Sequence, residues 1–323
     1  MAVIEARGLG KAYGGKPAVS DLSFDVQPGS VTGFLGPNGA GKSTTMRLML
    51  GLDHGAGATT FDGVPFISLE RPMQHVGALL EAKPFHPTRK ARNHLRMLAF
   101  ANNISAERVD EVLDQLGLSA VAKGKPKTFS MGMGQRLGLA AALLGDPDTL
   151  ILDEPANGLD PQGIQWMRHL LRGLASEGRS VLVSSHLLSE MALMADQLVV
   201  IGRGRLIASG PIGDFVRTSR QNSVIVRSPQ ADELAQVLRR DGVTVTAGEP
   251  GWLSVVGLDA REVGDIAFDS SIRIHELTSR VATLEEAFLE ATESAQEFEA
   301  HEISGPPGTG QPDTGPPGVG GQR

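Results

Sequence analysis

Residues 36–44 read GPNGAGKST, directly after the apolar run at 31–35, and no other feature constrains the fold as tightly. The stretch fits the spacing G-x-x-x-x-G-K-[ST], with Gly36, Gly41, Lys42 and Ser43 in the defining positions. A strand running into such a loop and then into a helix at about 41–50 is the beginning of a parallel α/β unit. Gly36, Pro37, Asn38, Gly39, Ala40 and Gly41 form a loop whose backbone N–H groups close around phosphate oxygens. The helix that begins at Lys42, Ser43 and Thr44 adds an N-terminal potential favourable to anions. Lys42 is placed to reach the β- and γ-phosphates, and Ser43 to ligate Mg²⁺.

A second apolar strand, 150–152, ends in Asp153-Glu154-Pro155. Parallel sheets bind ligands at the C-terminal edges of their strands. At such an edge Asp153 is the candidate for the Mg²⁺ shell, and Glu154 for orienting and deprotonating an attacking water.

The rest of the chain divides by pattern. Strand-like segments at 2–7, 22–26 and 31–35 precede a region of helical periodicity at 86–147, with helices at 91–101, 105–116 and 134–144. Strands at 149–152 and 180–184 flank a helix at 161–176. Downstream, residues 224–277 alternate as βαββαβ, the order of a ferredoxin-like split βαβ, with its last strand expected at 272–277 and a helix after it at 283–292. We therefore expect an ATPase-type domain at 1–218, an accessory α+β domain at 219–295 and a Gly/Pro-rich disordered tail at 303–323.

Composition removes alternatives. At about 150 residues per domain, 323 residues suggest two. The absence of cysteine excludes a disulfide scaffold, a zinc ribbon and a thiol nucleophile. A net charge of −7 gives no general basic field, so nucleic acid is not expected as the partner. The longest apolar run, 137–145, is short of the roughly 18–20 residues of a membrane span. A cytosolic protein is expected, reaching a membrane only through a partner.

Taken with the segments between and after them, 36–44 and 150–155 resemble the ATP-binding-cassette (ABC) ATPases over about residues 2–215. Ser130-Met131-Gly132-Met133 resembles the signature, usually L-S-G-G-Q, and Asn157-Gly-Leu-Asp160 resembles the D-loop. His186, after Ser184-Ser185, resembles the switch histidine, and Tyr13 the aromatic residue that stacks on adenine. Met131 and Met133 replace the usual glycine and glutamine, and Glu81 stands where the family has its Q-loop glutamine. The resemblance implies ATP and Mg²⁺ as ligands and a head-to-tail homodimer in which the partner's Ser130–Gly132 caps ATP bound at Lys42. It implies catalytic roles for Lys42, Glu154 and His186, with Asp160 working across the interface. The runs 81–95 and 284–292 resemble drug- and antibiotic-export cassettes, implying a separate permease and a place on the cytoplasmic face of the cell membrane. The alternative weighed is a soluble cassette ATPase acting on ribosomes or DNA. His54, His75, His86, His94 and His169 lack ligand spacing and read as structural.

Overall fold

The computed structural model describes residues 3–81 and 85–303, with the backbone alone for 294–303. Lys83 and Pro84, and residues 304–323 of the expected disordered tail, lie outside the described residues. An antiparallel hairpin opens the chain, β1 (Ile4–Tyr13) and β2 (Lys16–Val26). It extends beyond the strands expected from the sequence and carries Tyr13 at its tip. Next come β3 (Ser30–Leu35), α1 (Lys42–Met49), β4 (Ala56–Phe61), β5 (Val64–Pro65), α2 (Pro72–His75) and β6 (Val76–Leu79). Helices α3 (Ala91–Ala101), α4 (Ala106–Gln115) and α5 (Met131–Ala142) follow. The chain then returns to alternation: β7 (Thr149–Leu152), α6 (Pro161–Ser176), β8 (Ser180–Ser184), α7 (Leu188–Met194), β9 (Gln197–Gly202), β10 (Arg205–Pro211) and α8 (Ile212–Arg217).

Strands β3, β7 and β8 are buried at every position, as expected for a sheet covered on both faces. The central sheet has the order β10-β9-β3-β8-β7-β6, parallel except for β10. Side chains alternate between its faces. Val31, Leu150, Leu152, Val181 and Val183 join the core beneath α3–α6, while Phe34, Ile151 and Leu182 join the core shared with α1 and the β2-β1-β4-β5 sheet. The sheet is thereby fixed from both sides, and the ends of β3, β7 and β8 open onto one edge.

The downstream module contains β11 (Ser223–Arg227), α9 (Ala231–Leu238), β12 (Thr244–Ala247), β13 (Trp252–Val256), α10 (Ala260–Asp269) and β14 (Glu276–Arg280). Its order is β12-β13-β11-β14, with every neighbouring pair antiparallel. This is the split βαβ arrangement expected from the sequence. The final strand lies four residues later than expected. Ser271 turns through φ 55°, the Ile272 N–H closes α10 on the Ala267 carbonyl, and the Ile272 side chain is buried in the module core. That residue is a helix stop, and pairing begins only at Glu276.

The last helix, α11 (Leu284–Ile303), turns back: Leu284 belongs to the core of the large sheet, and Phe288 packs against it. Its Glu290 accepts from the Ser219 Oγ at 2.7 Å and from the Arg220 N–H at 3.0 Å.

Candidate functional site

The cradle is shaped by the lack of side chains. A Cβ on Gly36 would lie 2.6 Å from the Ile201 carbonyl oxygen, and one on Gly41 2.5 Å from that of Ala18. Gly41 also has φ 104°, a backbone open to glycine at no steric cost. The loop is thus wedged between β2 and β9, and its tip, Pro37, Asn38 and Gly39, is exposed. Ala40 is buried beneath it. Lys42 is only 8% exposed, and its Nζ donates to the Gly36 carbonyl at 2.7 Å and the Pro37 carbonyl at 3.4 Å. The ammonium is held at the loop by the loop's own carbonyls. Helix α1 has no side-chain cap, so its first N–H groups are left for an anion. Ser43 is exposed in that turn, and Thr44 is half-buried.

Two strands away, β7 delivers the acidic pair. Ser184, at the end of β8, donates its hydroxyl to the Asp153 Oδ1 at 2.5 Å and accepts from the Glu154 N–H at 2.9 Å. Glu154 occupies the left-handed region at φ 49°, unusual for a residue with a side chain and typical of functional sites. Its Oε2 lies 2.7 Å from the His186 Nδ1. Behind it, the buried Gln135 of α5 donates from Nε2 to the carbonyls of Glu154 and Pro155, both at 3.3 Å. The structure brings Asp153, Glu154 and His186 together, and adds Ser184 and Gln135, which the sequence reading left without roles.

The remaining candidates sit on three other surfaces. Tyr13, 50% exposed, donates from its hydroxyl to the Asp53 Oδ2 at 3.0 Å, and the Lys11 Nζ lies 5.1 Å from its ring centre. The same Oδ2 accepts from the Arg47 Nε of α1 at 3.0 Å, so the hairpin tip is tied to the cradle helix. Those bonds, Arg47 first and then Tyr13, hold the Asp53 carboxyl below its ordinary range. Glu81 is exposed just beyond β6 and adds to the field that raises Arg47, whose largest cause is Asp53.

Ser130 caps α5 by accepting from the Met133 N–H at 3.2 Å, so the helix starts three residues earlier than the sequence reading placed it. Asp160 caps α6 in the same way, accepting from the Gly163 N–H at 2.9 Å, with Pro161 at the first helical position. Ser130, Met131, Gly132, Met133 and Asp160 line one cavity of about 460 Å³, and no cradle residue lines it.

Hard oxygen donors suit Mg²⁺, which takes one or two protein ligands and fills its shell with water and substrate phosphates. Ser43 and Asp153 are such donors. The described residues hold no cluster of three or more His, Asp or Glu that would make a self-sufficient metal cage. The pair fits a cation shared with a nucleotide.

A family model described as ABC transporter matches residues 19–157, and a second, described as a domain of unknown function, matches residues 222–285. The chain is 38% identical over 304 residues to an uncharacterized ABC transporter ATP-binding protein, YhcH, of Bacillus subtilis (strain 168). That alignment covers 93% of this chain and 99% of the relative. The chain belongs to the ABC transporter ATP-binding proteins. Other relatives carry transport names: the bacitracin transport ATP-binding protein BcrA of Bacillus licheniformis is 39% identical over 223 residues, covering 68% of this chain and 73% of that one. Among solved structures, an ATP-binding subunit of an ABC transporter superposes with a TM-score of 0.61 at 28% identity, covering 67% of this chain and 92% of that chain. In this ABC cassette the central sheet and its cradle form an ATPase core, and the split βαβ module follows it.

Proposed function

We propose that this chain is the ATP-hydrolysing subunit of an exporter, working as a homodimer on a separate membrane permease. The set formed by Asp153, Ser184, Glu154 and His186 carries the proposal. It lies at the strand edge that also presents the cradle, where a γ-phosphate held by the loop faces a carboxylate base. In this reading the cradle amides and Lys42 bind the phosphates, and Tyr13 stacks on the adenine. Ser43 and Asp153 would hold Mg²⁺, which would supply charge neutralisation at the phosphoryl oxygens. Glu154 orients a water and takes its proton as the water oxygen bonds to the γ-phosphorus and the bond to the ADP oxygen breaks. His186 fixes the carboxylate's orientation through the 2.7 Å contact.

Signature and D-loop residues share a surface apart from the cradle, which favours their use on a second copy's nucleotide. The two sites are then completed in trans by Ser130–Gly132 and Asp160, and Glu81 stands where the cassette meets its permease. No helix of the described residues is long and apolar enough to cross a membrane, in line with a peripheral subunit at its cytoplasmic face. Export is supported by relatives such as BcrA and the lantibiotic transport protein SrtF of Streptococcus pyogenes, 35% identical over 206 residues, 64% of this chain and 89% of that one. An antibiotic-like cargo follows from the same likeness.

Glu154→Gln tests the reading. The variant is expected to bind MgATP normally, lose about 100-fold or more in turnover, and sediment as a dimer in MgATP. Turnover at the wild-type rate would falsify the assignment of the base.

A further inference from the structure

Helix α5 carries the signature at its first turn, and the same turns touch the chain segment that follows β7 in three places. The Gln135 Nε2 donates to the Glu154 and Pro155 carbonyls. Met131 lies so close over Gly158 that a Cβ there would sit 1.7 Å from the methionine Sδ. Arg136 stacks on Trp166 of α6, 4.5 Å from the ring centre. Gln135 is the contact that reaches the base itself.

That glutamine is costly as a packing residue. It is 2% exposed, and its Oε1 is buried without a hydrogen-bond partner among the described residues. Burying an amide with its oxygen unpaired lowers stability, a cost that packing alone does not require. The opposite amide orientation would set Oε1 against two carbonyl oxygens, so the donor must face the Glu154 peptide. That peptide is held from both ends: its N–H by the Ser184 Oγ and its carbonyl by Gln135, at a residue whose φ of 49° needs such support.

We propose that Gln135 is a positioning residue for Glu154, through which the signature helix sets the geometry of the base in its own subunit. The inference rests on the reading of Glu154 as base and of the signature as a contact to the partner's nucleotide. A nucleotide engaging the first turn of α5 would then register at the Glu154 peptide within the same chain. Each subunit's base is aligned by the nucleotide of the other, which makes the two hydrolysis events dependent on each other.

Gln135→Met in the full-length chain tests this. It keeps length and helix propensity and removes both donors. We expect turnover to fall about tenfold to a hundredfold, as for a small displacement of a catalytic group. The affinity for MgATP should stay within about twofold, while the melting temperature should fall modestly, because the Glu154 and Pro155 carbonyls lose a donor. In the Glu154→Gln background, the same change should leave MgATP-driven dimerisation intact, because the group it positions is already gone. Wild-type turnover in Gln135→Met would overturn the proposal. So would loss of the dimer in the double variant, which assigns Gln135 to the architecture of α5 alone. A Glu154→Gln variant that itself turns over normally sinks the underlying reading of the base instead.

Discussion

Single residues in this site are fixed by backbone geometry as much as by chemistry. Gly158 is held at φ 74° and roofed by the Met131 side chain, so it answers to two constraints. Gly158→Ala should lower both the melting temperature and ATP turnover. Met131→Ala in that background should restore part of the loss by removing the clash, and leave the part due to the backbone. Thermal melts and turnover of the single and double variants measure the two shares; no recovery at all would show that the roof does not matter. At this scale the sequence was most informative about the cradle, where nine consecutive residues hold the whole phosphate-loop pattern. It was silent on Ser184 and Gln135, whose partners lie thirty-one and nineteen or twenty residues away. One sign of Gln135 was available: an amide inside the run 131–144, which is otherwise small and apolar apart from Arg136, and on the buried face of its helix.

At the scale of elements, α3 and α5 meet around an aromatic contact. The rings of Phe85 and His94 stand edge to face at 6.3 Å, and Phe85 also lies against Gly134. His94 is buried, its Nδ1 has no partner among the described residues, and burial, followed by the charge of Arg89, lowers its pKa. A histidine lowered by folding stays neutral in the native state while the unfolded chain takes up a proton. Stability is therefore complete above the ordinary histidine range near 6.5 and declines as pH falls through that range toward the lowered value. His94→Leu should flatten this decline while keeping the neutral-pH melting temperature; equal slopes in melts from pH 7.5 to 5.5 (about one unit either side of the ordinary pKa) would rule it out. The histidine pattern allowed His94 to be read as structural, but not the ring it meets. Periodicity placed α3 within its observed bounds, whereas the start of α5 depended on the Ser130 cap, a local bond that the apolar pattern does not register.

The whole molecule joins its parts by the end of the chain. Leu284 lies in the core of the large sheet although the split βαβ module separates it from that sheet in sequence. Leu284→Ala should cost about 2–4 kcal/mol in chemical denaturation, as for a buried leucine, and should lower the midpoint seen by probes of the ATPase core. A midpoint shift confined to the module would contradict the packing. The fold class and the module's strand order were legible from alternation and period. The return of α11 was not, because an acidic amphipathic helix reads the same whether it covers its own domain or a neighbour.

Asn222 stitches the two chain segments that enter and leave the module: its Nδ2 donates to the Val216, Arg217 and Ser219 carbonyls, and its Oδ1 accepts from the Ala282 N–H at 2.8 Å. The module is accordingly an inserted panel on two adjoining hinges rather than a bead at the end of a string. A stop codon placed just past its last strand would strip a sealing element off the motor and lay bare greasy surface there, so truncated versions should clump even where the nucleotide pocket is complete.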